Sequence, residues 1–382
     1  VTLINPRHRF TLTSGLQKTA DHIESLQLPS GAIPWVDKGV IDPWNHIEAM
    51  MGLAVANRLS AVERALEFLA ETQLPDGSWW GEYGNAVPMQ DHTHLARTEA
   101  PKLRDTNFCA YVATGVWHYY LVEDDIDILR HHWDMVRNAI NFVLSHQSEH
   151  GEIKWCADAT GKSADDALVS GCSSIFKSLD CAILIGKELD RNTQNWQQAK
   201  QRLGRALRHK PDRFDRSWQK KDRFSMDWYY PVLANTLPRQ AAKRRLAKHW
   251  SRYVEDGLGC RCVSDQPWVT VAESCELAIA LIISGERDKA LELFNWQARW
   301  RDGDGAYWMG YQYKEDIFWP EEKPSWTSAA VLLAADALHE LSQASRLFVR
   351  ALGQDRTPSF AAKQVPGGRT VAAALTQPLE NS

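Results

Sequence analysis

Two kinds of apolar pattern alternate along this chain. Segments 12–26, 61–72, 126–146, 192–208, 239–253 and 286–300 carry apolar residues on one face only. In AVERALEFLAET these are Val62, Leu66 and Leu69, with charges around the rest. Between them, segments 43–57, 106–121, 164–185, 226–236, 268–284 and 325–339 are apolar or small almost all round, as in WVTVAESCELAIALIIS. A helix without a polar face is buried on every side, so the second set predicts inner helices and the first set outer ones. Six of each in strict alternation predict an all-α (α/α)6 toroid, six helical hairpins closed into inner and outer rings. All inner helices then start at one rim, around a central cavity.

A short internal repeat punctuates the pattern. Gln27-Leu-Pro-Ser-Gly31-Ala-Ile-Pro-Trp35 recurs as Gln73-Leu-Pro-Asp-Gly77-Ser-Trp79 and as Gln147-Ser-Glu-His-Gly151-Glu-Ile-Lys-Trp155, with a looser copy at Arg301-Asp-Gly-Asp-Gly305-Ala-Tyr-Trp308. Each reads as a helix end, a glycine turn and a tryptophan plug. Twelve helices around one ring leave no space for a second core, so residues 1–345 are expected to form a single domain. Residues 346–382 are expected to form a C-terminal tail, either disordered or a surface strap.

Composition changes the picture in three places. Net charge of −4 and a pI near 6.4 give no basic stripe, which argues against nucleic acid as a partner. No run reaches the length of a membrane span, and the seven cysteines are odd in number without CxxC pairs, so a reduced, cytoplasmic protein is expected. Seventeen tryptophans are unusual, and many stand beside Pro, Gly or Asp.

Reading the first residues of each inner segment collects acids and indoles at the expected cavity mouth: Asp42, Trp44, His46, Glu48, Asp105, Asn107, Asp165, Asp166, Asp227, Trp228, Tyr229, Trp268, Glu273, Trp319 and Trp326. Asp42 before Pro43 and Ser225 before Met226 have the position of helix N-caps. Asp105 has the same position, but Arg104 and Asn107 beside it could fix its orientation and protonation, and the apolar residues after it make a dry setting for a proton donor. The indoles Trp44, Trp228, Trp268, Trp319 and Trp326, with His46 and Tyr229, are expected to line the substrate, since ring faces suit either a stacked sugar or a carbocation.

The QxxxGxW copies resemble the QW repeat of the class II terpenoid cyclases and prenyltransferase β-subunits, over roughly residues 12–340. DPWNHIEAMMGL, DTNFCAYVATGVWHYYL, FSMDWYYPVL and WPEEKPSWTSAAVLLAADAL are similar to the monodomain class II terpene cyclases. That resemblance implies protonation of a prenylated substrate, such as a prenylated hydroxybenzoate, followed by ring closures through carbocations. It implies no cofactor and no metal, a lipophilic small-molecule partner, and a mouth that could contact a membrane peripherally. The DxDD motif of the larger cyclases is missing. Arg104-Asp105-Thr106-Asn107 keeps its Asp-Thr pair and Ser163-Ala-Asp165-Asp166 its last two acids, so Asp105 is the expected general acid, Asn107 its partner and Asp165 the runner-up. Glu123-Asp124-Asp125 falls at the wrong rim.

Rival chemistries use the same ring. A carbohydrate-active enzyme needs two carboxyls flanking one bond, which Asp42 or Glu48 with Asp227 or Glu273 could supply. A zinc prenyltransferase would need a thiolate such as Cys275 with His46. A non-catalytic lipid-binding toroid would keep the aromatic funnel but has no need of Asp105.

Overall fold

The computed structural model describes residues 12–83, 102–217 and 221–349. Outer helices are α1 (Ser14–Leu26), α3 (Leu59–Thr72), α5 (Ile126–Ser145), α7 (Gln194–His209), α9 (Arg239–Tyr253) and α11 (Arg287–Trp296). Inner helices are α2 (Pro43–Val55), α4 (Thr106–Glu123), α6 (Val169–Glu188), α8 (Ser225–Leu233), α10 (Val271–Ser284) and α12 (Ser325–His339), followed by a short α13 (Arg346–Val349). Each inner helix packs on the next, from α2 through α4, α6, α8 and α10 to α12, and α12 returns to α2. The inner ring is therefore closed, and the expected (α/α)6 toroid is the observed one. The differences lie at helix ends: α6 begins at Val169 rather than 164, and residues 268–270 form a strand before α10.

The repeated turns dock four of the six hairpins on their neighbours, and the last of them joins the end of the ring to its beginning. Gln27 Nε2 donates to Gly31 O (3.0 Å) within its own turn and to Ala61 O (2.8 Å) on the next outer helix. Gln73 does the same with Gly77 O (3.0 Å) and Met135 O (2.9 Å), and Gln147 with Gly151 O and Ala199 O (both 2.9 Å). The glycine sits flat against that same helix. Gly31 has φ +88°, and a Cβ there would lie 2.0 Å from Arg64 O. In the loose fourth copy Gly305 (φ +95°) presses on the backbone of Lys18, and its carbonyl accepts from Thr19 Oγ1 at 2.8 Å. Lys18 and Thr19 belong to α1, so this turn joins the end of the ring to its beginning.

Small sheets decorate the rim where the inner helices start. β1 (Leu103–Asp105) pairs antiparallel with β2 (Cys156–Asp158), setting Asp105 opposite Cys156. β3 (Val254–Glu255), β4 (Gly259–Arg261), β5 (Trp268–Thr270), β6 (Gly310–Gln312) and β7 (Ile317–Phe318) form an antiparallel sheet in that order, with β5 running directly into α10. The core lies between the rings, and α6, although long and apolar enough to cross a membrane, is one of its buried ring helices. Of the expected tail, residues 346–349 form α13 and residues 350–382 lie outside the described residues.

Substituting Gly31 tests the docking turn. Gly31→Ala combines a positive φ with a backbone clash and is expected to cost about 2–4 kcal/mol. Gly303→Ala, two residues before Gly305, meets nothing within 4 Å and should be neutral. Thermal melts of the two variants give the comparison; equal melting temperatures would remove the turn from the account.

Candidate active site

The inner helices are buried almost throughout, so their half-buried residues trace the lumen. Near the mouth these are Trp44, Asn45 and Glu48 on α2, Asp105 and Phe108 at α4, Ser170 and Gly171 on α6, Met226 on α8, Glu273 and Glu276 on α10, and Trp326 on α12. The sixth residues of the inner helices are Glu48, Tyr111, Ser174, Tyr230, Glu276 and Ala330, and they form one level across the ring. Tyr111 Oη donates to Glu48 Oε1 at 2.5 Å, Tyr229 Oη donates to Glu276, and Tyr230 Oη donates to Glu276 Oε1 at 3.3 Å. Trp44 lies over this level, donating to Glu48 Oε1 at 3.4 Å. Its ring touches Phe108, Tyr111 and, across the lumen, Tyr230, with centroids 5.5–5.7 Å apart.

This polar level is the floor of the mouth. Below it a narrow cavity lined by Leu233, Ile279, Ala330 and Leu333 is stoppered by Phe348 of α13. Burial pushes Glu48 up to about 7 against the pull of the Tyr111 and Trp44 donors, and pushes Glu276 well above the usual carboxylate range, with Glu48 adding repulsion. Both shifts favour the protonated form, so the floor holds its protons to higher pH than exposed carboxyls do.

Asp105 ends β1 and caps α4. Its Oδ1 accepts from Asn107 N (2.8 Å) and Phe108 N (3.1 Å). Desolvation raises it to about 7; the two N–H donors oppose the shift and nearby Asp42 adds to it. Asp42 caps α2 and is fully enclosed, with Oδ1 on Asn45 N (2.9 Å) and Oδ2 on Trp35 Nε1 (2.5 Å) and Asn45 Nδ2 (2.7 Å). Asp227 is buried and raised to about 7, first by desolvation and then by Asp215; its Oδ1 accepts from Ser170 N at 3.2 Å. Glu273 stands on α10, hydrogen-bonded to the Cys262 thiol, with Oε2 buried and unpartnered.

Glu273 Oε2 is one of several such atoms. Asn107 Oδ1 and Nδ2, Ser174 Oγ, Thr270 Oγ1, Trp326 Nε1 and Thr327 Oγ1 are also buried without a protein partner. All lie on the caps or first six residues of inner helices. Each such group costs about 1–3 kcal/mol unless something completes it; Asn57, His118 and Gln297 carry others away from the mouth, and those at the mouth are groups that a polar ligand there could complete.

Several expected site residues lie elsewhere. Asp165 stands in the loop before α6 with its side chain 91% exposed, ion-paired to Lys154 (3.0 Å) and Arg216 (3.2 Å). Those hydrogen bonds lower its pKa, so it is an anion and no proton donor. His46 is completely buried on the outer side of α2. Ile33 N donates to its Nδ1 and its Nε2 donates to Ala65 O, both at 3.0 Å, which leaves it neither a lumen contact nor a metal ligand. Trp228 points into the outer layer, donating to Arg245 O (2.9 Å) and stacking on Tyr253, and Tyr229 stands behind Glu276. Ser225 begins α8 without capping it. Trp44, Trp268, Trp319 and Trp326 are half-buried around the mouth, and Asp105 and Asn107 are at its edge. Glu276 was missed by sequence, although the spacing of Glu273 and Glu276 puts both acids on one face of an otherwise apolar helix.

The closed ring is a fold that several sugar-processing enzymes share. A wild-type glycosidase superposes with a TM-score of 0.60 at 14% identity, covering 86% of this chain and 99% of its own. A D-mannose isomerase gives 0.59 at 10% identity over 87% and 98%, and an α-amylase from Clostridium perfringens gives 0.58 at 11% over 84% and 98%. At such identities the likeness is one of fold. No family model matches the chain. The MMP endo-(1,4)-3-O-methyl-α-D-mannosidase of Mycolicibacterium hassiacum is 41% identical over 332 residues, which cover 87% of this chain and 88% of that protein. The chain belongs to the family of that endo-mannosidase.

The expected terpene cyclase, with its lipophilic prenylated partner, is thereby overturned, and the structure supplies the reason. The Gln and Gly of the QxxxGxW copies dock helical hairpins on one another, a task that any such ring has, so the motif reports architecture rather than chemistry. A hydrocarbon chain could not complete the orphaned amide, hydroxyl and indole groups of the mouth, and its floor carries two carboxyls instead of a purely aromatic lining.

The floor carries a pH signature. Unfolded, Glu48 ionises near 4.5, and folded only near 7, so its stabilisation is complete below the first value and is lost as pH rises to the second. Thermal melts should show wild-type stability declining between about pH 5 and pH 7 and Glu48→Gln declining less. Parallel slopes would contradict the assignment.

Proposed function

We propose that this protein is a glycoside hydrolase that cuts internal α-mannosidic bonds of a 3-O-methylated mannose polymer. The orphaned hydrogen-bonding groups around the mouth support this reading most directly. A pyranose ring offers hydroxyls to Asn107, Ser174, Thr270 and Thr327 and a face to the indoles of Trp44, Trp268 and Trp326. The relative's activity supplies the sugar.

Asp105 is the general acid and Glu273 the general base. Asp105 keeps its proton at near-neutral pH because its site is dry, and hydrogen bonds to Oδ1 fix the carboxyl while leaving Oδ2 to face the substrate. Glu273 stands on α10, across the ring from α4, and its unpartnered oxygen can accept a proton from water. Asp105 protonates the glycosidic oxygen as its bond to the anomeric carbon breaks. Water deprotonated by Glu273 bonds to that carbon from the opposite side. Carboxyls on opposite walls are expected to stand far enough apart, about 6.5–9.5 Å, to admit that water, which would invert the anomeric carbon. Asn107 orients the sugar beside Asp105, and Asp42 holds the neighbouring helix start.

Asp105→Asn keeps a good helix cap but cannot donate the proton. It should lower kcat by about 100- to 10,000-fold with little change in KM or melting temperature. In the wild type kcat/KM should fall as pH rises through about 7, the value at which Asp105 loses its proton. Proton NMR of the first-formed product should show inverted anomeric configuration; retention would move the base elsewhere. Asn107→Ala should raise KM for the oligosaccharide without lowering the melting temperature, since it removes a buried amide that has no protein partner. A destabilised variant with unchanged KM would make Asn107 purely structural.

A further inference from the structure

The sheet beside α10 carries a row of side chains that runs outward from Glu273. Residues opposite one another in an antiparallel sheet share a face. Trp268 pairs with Gln312 and Gln312 with Ile317, and continuing the β4–β5 register places Cys262 opposite Trp268. Cys262 is in hydrogen-bond contact with Glu273, so one face of the sheet leads from that carboxylate through Trp268 and Gln312 to Ile317 on the edge strand β7. With strands about 4.8 Å apart, the row spans roughly 14 Å.

Its composition is that of a binding strip. Trp268 is half-buried and held at the rim, donating to Trp319 O at 2.5 Å with the two indoles edge to face. Gln312 uses Oε1 to accept from Lys314 N and Glu315 N, and no described residue partners its Nε2. Ile317 is 47% exposed, and among the described residues few large hydrophobics are so open. The other face of β7 is anchored, because Phe318 stacks on Trp308 with centroids 4.8 Å apart and meets Trp300 and Tyr311 edge on. An edge strand rigidly held from behind yet showing an isoleucine on the site's side is unusual where folding alone is concerned.

We infer that this row binds further 3-O-methylmannosyl units of the glycan whose bond is being cut. The inference rests on the mannosidase reading above. A methylated sugar explains the mixture of groups: hydroxyls for the Gln312 amide, a ring face for Trp268, and a methyl ether for Ile317. The strip is continuous with the mouth, so one extended chain reaches both.

The test compares hydrolysis of short and long 3-O-methylmannose oligomers, and of long unmethylated (1,4)-α-mannosides, by wild type and Ile317→Ser. Ile317 lies on a solvent-exposed edge, so the variant should melt with the wild type. On the long methylated oligomer KM should rise about three- to fivefold, the effect of one lost methyl contact, while the short oligomer and the unmethylated chain are unaffected. Unchanged KM on the long methylated oligomer, or an equal rise on all three, would overturn the row as a glycan subsite and leave the mannosidase reading standing. Wild type that cleaves none of the three would remove that reading and the row with it.

Discussion

The contact on which the ring depends is the docking of each glycine turn on the next outer helix. One glutamine amide holds its own turn and its neighbour's backbone together, at Gln27, Gln73 and Gln147. Gly305 makes the last such contact, onto α1, without a glutamine. Pressing backbone on backbone fixes how closely the hairpins approach, since a single Cβ would not fit. The inner helices then start at a common rim. Their first turns meet there, and residues 42, 105 and 273, far apart in the chain, become neighbours of one mouth.

From that geometry the electrostatics follow. Carboxyls brought to a common rim and partly enclosed lose hydration, which raises Asp105 and Glu48 to about 7 and pushes Glu276 well above the usual carboxylate range. Their surroundings separate their roles. Asp42 has both oxygens committed to Trp35 and Asn45, and Glu48 and Glu276 are clasped by tyrosines in the floor, whereas Asp105 and Glu273 each keep an oxygen free. A hydrolase needs that last condition: one acid with a proton to give and one with a lone pair to receive.

The fold was legible in the sequence because burial on all sides and burial on one side leave different patterns, and α2, α4, α10 and α12 carry the first kind cleanly. Asp105 and Glu273 were legible as acids at helix starts. Their chemistry was legible only as the rival reading, a carbohydrate-active enzyme with paired carboxyls that included Glu273, because QxxxGxW serves hairpin docking and so says nothing about the substrate. Which way a side chain leaves a buried helix was equally hidden: His46 and Trp228 share the mouth end of their helices with Trp44 and Asp227, yet face the outer layer. Asp165 failed for another reason, since its helix begins five residues later than periodicity suggested and strands it in solvent.

On the proposed function, a mannoside completes the orphaned polar groups of the mouth. A crystal structure of Glu273→Gln with a bound 3-O-methylmannose oligosaccharide tests it most directly. A sugar ring is expected over Trp44 with hydroxyls within hydrogen-bond distance of Asn107 and Ser174, and a glycosidic oxygen beside Asp105 Oδ2. Glycan bound away from the inner-helix starts, with Asn107 and Asp105 untouched, would contradict it.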